Sequence, residues 1–329
     1  MHPAFSVIFL TTLIGVGQGL FLALYTAQVY ALFGLLPAQA SGFYVGGIAL
    51  VLLFLGLGLL ASFFHLGRPM RAWRSAAQWR TSWLSREVIV LPLLAGLAAL
   101  YGLAHFAGWR SPLQTLPGGY PVDATLLLGA VGTLACFTLF LCTGMIYACL
   151  RFLQEWHTPL TVINYLLLGG GSGFLAATAY AAAAAPELVG FFGGWTAVIT
   201  LLAAVGRIAS LARNARLKPK SNSATAIGVR HPRIVQMSAG FMGGSFNTRE
   251  FFHGRTRALL RAVKWLFLAL AFPVPLALLA AGLAVGLAPA SQALLLGAFL
   301  LQYGGLLAER WFFFAQANHP QNLYYQAVA

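Results

Sequence analysis

Long apolar runs alternate with short polar ones along the whole chain. Eight runs reach the length of about 20 mainly apolar residues that a helix needs to cross a bilayer. They cover roughly 5–35, 43–65, 87–108, 124–150, 159–184, 188–212, 258–286 and 290–313. They are continuous and rich in Leu, Ala and Gly, without the short alternating stretches of a transmembrane β-barrel. In a water-free bilayer core, helices let such runs pair their own backbone groups. The predicted fold class is therefore all-α: a polytopic membrane protein with eight transmembrane helices in one membrane domain.

Two polar segments interrupt this pattern. His65–Arg86 interleaves Trp73, Trp79 and Trp83 with five arginines. The segment 213–257 is the longest polar stretch, and Phe241, Phe246, Phe251 and Phe252 sit in it beside Gly240, Gly243 and Gly244. The first suits an interfacial belt, with Trp at headgroup depth and Arg on anionic lipid. The second calls for more than lipid and reads as a docking loop for a soluble partner, with Arg249, Glu250, Phe251 and Phe252 as docking residues.

The segments share a signature. Ser82-Trp83-Leu84-Ser85-Arg86-Glu87 precedes the third run, and Ser245-Phe246-Asn247-Thr248-Arg249-Glu250 precedes the seventh. A repeat offset by four spans predicts two four-helix halves in the same orientation, about 1–152 and 153–329. Ser85 or Thr248 would cap a helix starting there and leave the following Glu in its first turn, favoured by the helix dipole.

Composition narrows the function classes. Residues are 60% hydrophobic and only 8% charged, against about 25% charged in soluble domains. That excludes a soluble globular enzyme and a disordered regulator. Three cysteines exclude a disulfide scaffold. The net charge of +14 would suggest nucleic acid in a soluble protein. Here the basic residues cluster between apolar runs, so membrane lipid is the expected partner and nucleic acid is not. With the N-terminus placed in the cytoplasm, all of the 20 Lys and Arg except Arg110 fall on the cytoplasmic side. Both termini are thus expected in the cytoplasm, and the protein in a bacterial inner membrane. The N-terminus has no basic n-region and no cleavage signal, so the first run is expected to be a mature span.

Little redox chemistry is visible in the chain itself. Cys136, Cys142 and Cys149 share the fourth span in a spacing that fits no iron–sulfur or c-type haem motif. They read as small buried apolar residues. Of seven histidines only His105 lies well within a span, so a bis-histidine haem b is not expected, although His65 or His157 could serve as a ligand. No metal site is expected. A transporter should carry ionisable groups at mid-membrane. The chain offers the glycines 169–171 and 173, the prolines 273 and 275, and no central carboxylate; the glycines suit close helix packing.

What remains is a cluster at one membrane rim: His65 ends the second span, Glu87 starts the third, and Arg68, Arg71 and Arg86 lie beside them. Quinone reduction moves two electrons and two protons, and His and Glu titrate near neutral pH when partly desolvated. A blander reading competes: Glu87 pairs with a nearby Arg, and His65 is an interfacial residue.

The stretch from His65-Leu66-Gly67-Arg68-Pro69 through Trp79-Arg80-Thr81-Ser82-Trp83-Leu84-Ser85-Arg86-Glu87 resembles the membrane-anchor subunits of the dimethyl sulfoxide reductase (DmsC) family. The long loop with Ser245–Phe252 resembles the branch that anchors sulfite dehydrogenase complexes. The resemblance implies a partner iron–sulfur subunit with four clusters and a molybdopterin-containing catalytic subunit. It also implies a haem-free anchor that exchanges electrons with the quinone pool, ubiquinone or menaquinone, and it places His65 and Glu87 at the quinone site. Electron flow from sulfite to quinone is the leading expectation. A sulfoxide reductase anchor oxidising menaquinol, a haem b anchor, a purely structural anchor and a solute transporter are the alternatives.

Overall fold

A computed structural model describes residues 1–220, 222–229, 231–235, 237, 254–286 and 289–320. Each predicted span is a helix. They are α1 (Phe5–Leu32), α2 (Ser41–Phe63), α3 (Trp83–Phe106), α4 (Ala124–Ala148), α5 (Pro159–Ala184) and α6 (Val189–Ala215). The seventh span comes in two pieces, α7 (Arg257–Ala271) and α8 (Pro273–Ala284), and α9 (Pro289–Ala315) completes the set. All eight are long and apolar enough to cross a membrane. The strands among the described residues form one small hairpin, Gln114–Leu116 with Tyr120–Val122, between α3 and α4.

The third span begins earlier than its apolar run predicts, and its cap corrects the expectation for Ser85. Ser82 is the N-cap: its side chain accepts from the Ser85 amide at 3.3 Å, meeting one of the orphan donors of the first turn. Moving the start back to Trp83 puts Glu87 in the second turn, roughly 6 Å along the axis at 1.5 Å per residue. It is not a dipole-facing residue of the first turn.

The bundle is built around α1 and α5, whose most apolar windows are each 72% buried, against 33–50% for the other six spans. Lipid tails are as apolar as leucine, so helices associate in the bilayer by close packing. Here glycines allow it. A Cβ on Gly173 would overlap the Gly19 backbone, and one on Gly19 would overlap the carbonyl oxygen of Gly169. The glycine run of the fifth span is therefore a helix–helix seam. Gly173→Ala is expected to destabilise the bundle by about 1–3 kcal/mol, the usual range for overpacking. Gly190→Ala, which would meet nothing within 4 Å, is the matched control. Thermal unfolding in detergent compares them.

The seventh span breaks at Phe272 (φ −125°, ψ −80°) because Pro273 and Pro275 remove two amide donors. The Ala271 carbonyl, four residues before Pro275, loses its helical partner. It accepts instead from Nε2 of Gln302 on α9 at 3.3 Å. Gly305 lets α9 come this close, since a Cβ there would overlap the backbone at Leu270 and Ala271.

One face gathers the functional connections. The Met1 amine donates to the Ala317 carbonyl at 2.8 Å, Trp156 Nε1 to Phe313 at 3.0 Å, and Arg213 Nη1 to Gln154 at 3.0 Å. Both ends of the bundle, the α4–α5 connection and the end of α6 therefore meet. Up-and-down alternation puts the α2–α3 connection on the same face. Of the long polar segment, a short helix at Ser223–Ile227 is described. Arg249, Glu250, Phe251 and Phe252, expected as docking residues, lie outside the described residues.

Candidate functional site

The α2–α3 connection folds as a 3₁₀ segment, Pro69–Gln78, with no buried residue. His65, Arg68 and Arg71 lie exposed along it. Met70 (91%), Trp73 (71%) and Trp79 (54%) also remain exposed, as suits a strip in contact with headgroups or a partner. Burial of part of its ring lowers the pKa of His65 below the ordinary value. The neutral imidazole this favours carries one donor and one acceptor nitrogen.

Arg86 holds this strip to α3. Its Nε donates to the Trp79 carbonyl at 2.9 Å, its Nη2 to the Arg80 carbonyl at 2.8 Å, and its guanidinium lies 4.2 Å from the Trp83 ring centroid. It anchors the connection, while Arg68 and Arg71 face outward.

Glu87 points the other way, into the bundle, at 6% exposure. Its carboxylate oxygen Oε1 accepts from the Thr143 hydroxyl of α4. The two ion pairs among the described residues both belong to Glu309, so Glu87 is not tied to an arginine there. The structure thus brings Glu87 to the end of α4 and leaves His65, Arg68 and Arg71 on the exposed rim of the same connection. A partly desolvated imidazole on the rim and a carboxyl one to two turns inside could serve as proton acceptor and donor to a ring bound at this edge.

A second polar cluster was not foreseen. Glu309 of α9 is wholly buried and lies between Arg207 of α6, at 2.6 Å, and its neighbour Arg310. The Arg310 guanidinium is 4.1 Å from the Tyr165 ring centroid. Arg207 and Arg310, at 2% and 4% exposure, therefore face the protein interior and not headgroups, while staying towards the same end of the bundle as the other basic residues. Glu309 is also a span carboxylate that the search for mid-membrane charges passed over. It lies roughly 9 Å from the end of α9, counting 1.5 Å per residue. The signal was the Glu-Arg dipeptide inside an apolar run, with Arg207 roughly 12 Å from the end of α6 by the same rise per residue.

Other candidates carry less chemistry. His105 is wedged between the rings of Tyr44, stacked at 4.2 Å, and Tyr101 at 4.6 Å. Cys136 and Cys142 are buried in α4, while Cys149 is exposed at its end. Among the described residues no three His, Cys, Asp or Glu side chains gather as metal ligands. An apolar groove of about 460 Å³ runs between α1, α7 and α9 with Phe9, Val263 and Trp311 in its wall. Among the described residues Arg255 is its one ionisable lining residue.

The comparisons agree with this architecture. A family model described as DMSO reductase anchor subunit (DmsC) matches residues 1–316. The chain is 58% identical over 329 residues, the full length of both proteins, to a sulfite dehydrogenase subunit of Allochromatium vinosum. An eight-helix bundle, the polar α2–α3 rim and a match over nearly every residue lead to one conclusion: the chain is a multi-pass membrane protein of the DMSO reductase anchor subunit (DmsC) family.

Proposed function

We propose that this chain is the quinone-reactive anchor of a sulfite-oxidising molybdopterin and iron–sulfur complex. It binds quinone at the α2–α3 rim and passes to it electrons that arrive from a partner's clusters. The observation that carries this reading is the inward Glu87 carboxyl, held by Thr143, beside the exposed basic rim with His65. On the haem-free reading that the family resemblance implies, the chain joins a redox complex where a mobile carrier reaches a partner's centre, and this rim combines proton chemistry with an open basic surface. The full-length 58% identity to a sulfite dehydrogenase subunit supports sulfite as the electron source. It also supports a catalytic subunit and an iron–sulfur subunit as partners, and the expected count of four clusters follows from the family resemblance. Arg68 and Arg71 steer the quinone oxygens or the partner surface, and Arg86 positions the connection. Arg249, Glu250, Phe251 and Phe252 complete the docking surface. The basic bias of this face supports a cytoplasmic orientation in the inner membrane. The two most enclosed helices, α1 and α5, each open one of the two proposed four-helix halves.

Purified intact complex tests the reading. With sulfite as donor, His65→Ala is expected to raise the KM for a soluble quinone analogue about 10-fold, the loss of one hydrogen bond of about 1.4 kcal/mol. Reduction of an artificial dye should be unaffected. An unchanged KM, or a Soret band assigning a haem to the anchor, would contradict it.

A further inference from the structure

Glu87 is buried and its carboxyl meets the Thr143 hydroxyl, which gives a proton it delivers a route of replacement from inside the bundle. We infer that two internal water sites connect it to the aqueous groove at Glu155, forming its proton supply; this inference rests on the quinone-site reading above.

Two small cavities share Arg310 in their walls. The first adjoins Thr143 and is also lined by Thr11, Gln18, Ser172 and Arg310. The second is lined by Arg310, Glu309, Arg207, Asn164 and Glu155. They offer about 20 and about 10 Å³ of room for water centres, enough for roughly one water apiece. Glu155 lines the second cavity and also a groove of about 370 Å³ with Asn214, Lys218 and Lys220. Thr143 in turn donates to Glu87.

The polar atoms in these walls call for water. Gln18 lines the first cavity and Asn164 and Arg207 the second; among their polar atoms are Gln18 Oε1, Asn164 Oδ1 and Arg207 Nη2. None of the three has a hydrogen-bond partner among the described residues, and each residue is at most 4% exposed. Buried polar groups in native proteins are nearly always satisfied, by ordered water where protein does not serve.

The chemistry balances. A quinone takes two electrons from a reduced iron–sulfur donor of the partner, and two protons. Glu87 in its acid form gives a proton to a quinone oxygen and is left as a carboxylate. The Thr143 hydroxyl passes its proton to that carboxylate and takes one from the first water. The resulting proton deficit moves outward through the second water to Glu155, where bulk water fills it. A second cycle supplies the second proton. Arg207, Arg310 and Glu309 together carry one net positive charge, which favours a proton deficit beside them over an excess proton. Quinol oxidation would run the same steps backwards.

Two variants of the intact complex test the connection. Thr11→Leu fills the first cavity, and Thr11 donates only within its own helix, to Val7 and Ile8. Glu155→Gln keeps an acceptor for the Asn318 amide but cannot relay a proton. Each is expected to slow quinone reduction about 10-fold, a modest share of what acid–base steps contribute, and to raise the solvent deuterium isotope effect. Dye reduction should be unchanged, and acetate, as a small weak acid, should restore the Glu155→Gln rate. Wild-type rates and isotope effects in both variants would overturn the connection. So would density of the intact complex showing both cavities dry, which needs no variant. If Glu87→Gln itself retained quinone coupling, the quinone site would fail. If Glu87→Gln uncouples while both path variants behave as wild type, only the water connection fails.

Discussion

Glu87→Gln is expected to cut electron transfer from the complex to quinone by about 100-fold or more, the range over which a positioned acid–base group contributes. Gln keeps the size of the side chain and an acceptor oxygen for the Thr143 hydroxyl, so the α3–α4 contact survives. What it loses is the exchangeable carboxyl proton. Reduction of an artificial dye by the soluble partners should persist at the parental rate, because the dye bypasses the anchor. Thr143→Val should give a smaller loss of about 10-fold, corresponding to one hydrogen bond to a charged group. Stopped-flow quinone reduction beside a dye assay on the same preparation separates the effects. Full quinone activity in Glu87→Gln would remove this carboxyl from the mechanism.

The second large effect concerns stability. Glu309→Ala leaves Arg207 and Arg310 buried without their shared carboxylate, and breaking one side of a buried pair costs about 3–5 kcal/mol. The variant should unfold at lower temperature in nanodiscs and accumulate poorly in membranes. Removing the charges together, as Arg207→Met, Glu309→Leu and Arg310→Met, should recover most of that loss, since apolar replacements of buried ion clusters are often neutral or better. A Glu309→Ala protein as stable as its parent would show that water or lipid, not the carboxylate, carries those guanidinium groups.

The span pattern was legible because period and length decide it. A run of about 20 apolar residues has one solution in lipid, and eight runs became eight spans. Helix starts were less legible. Ser82 and Ser85 are both good caps, and the choice between them depends on where Arg86 finds carbonyls, at Trp79 and Arg80, which is a tertiary fact. The Pro273–Pro275 break and the packing role of the glycines 169–171 and 173 followed from local backbone chemistry. Glu309 was hidden for the opposite reason. Its partner Arg207 is 102 residues away in sequence, and a charge at the end of an apolar run looks the same whether it snorkels to headgroups or turns inward. His65 and Glu87 stood out because they share one short connection, yet only the structure showed that one faces outward and the other faces Thr143.

The crossing of α9 over the broken seventh span has one more consequence. Pro275→Ala would return an amide to the helix, and by helix propensity alone that looks like an improvement. The oxygen it would claim, on Ala271, is already taken by Gln302. Straightening the rod would therefore take that acceptor from the Gln302 amide, leave it the Thr200 hydroxyl at 3.4 Å, and press the backbone against the notch at Gly305. In this bundle the bend is a joint shared by two helices, and mending one of them would loosen the other.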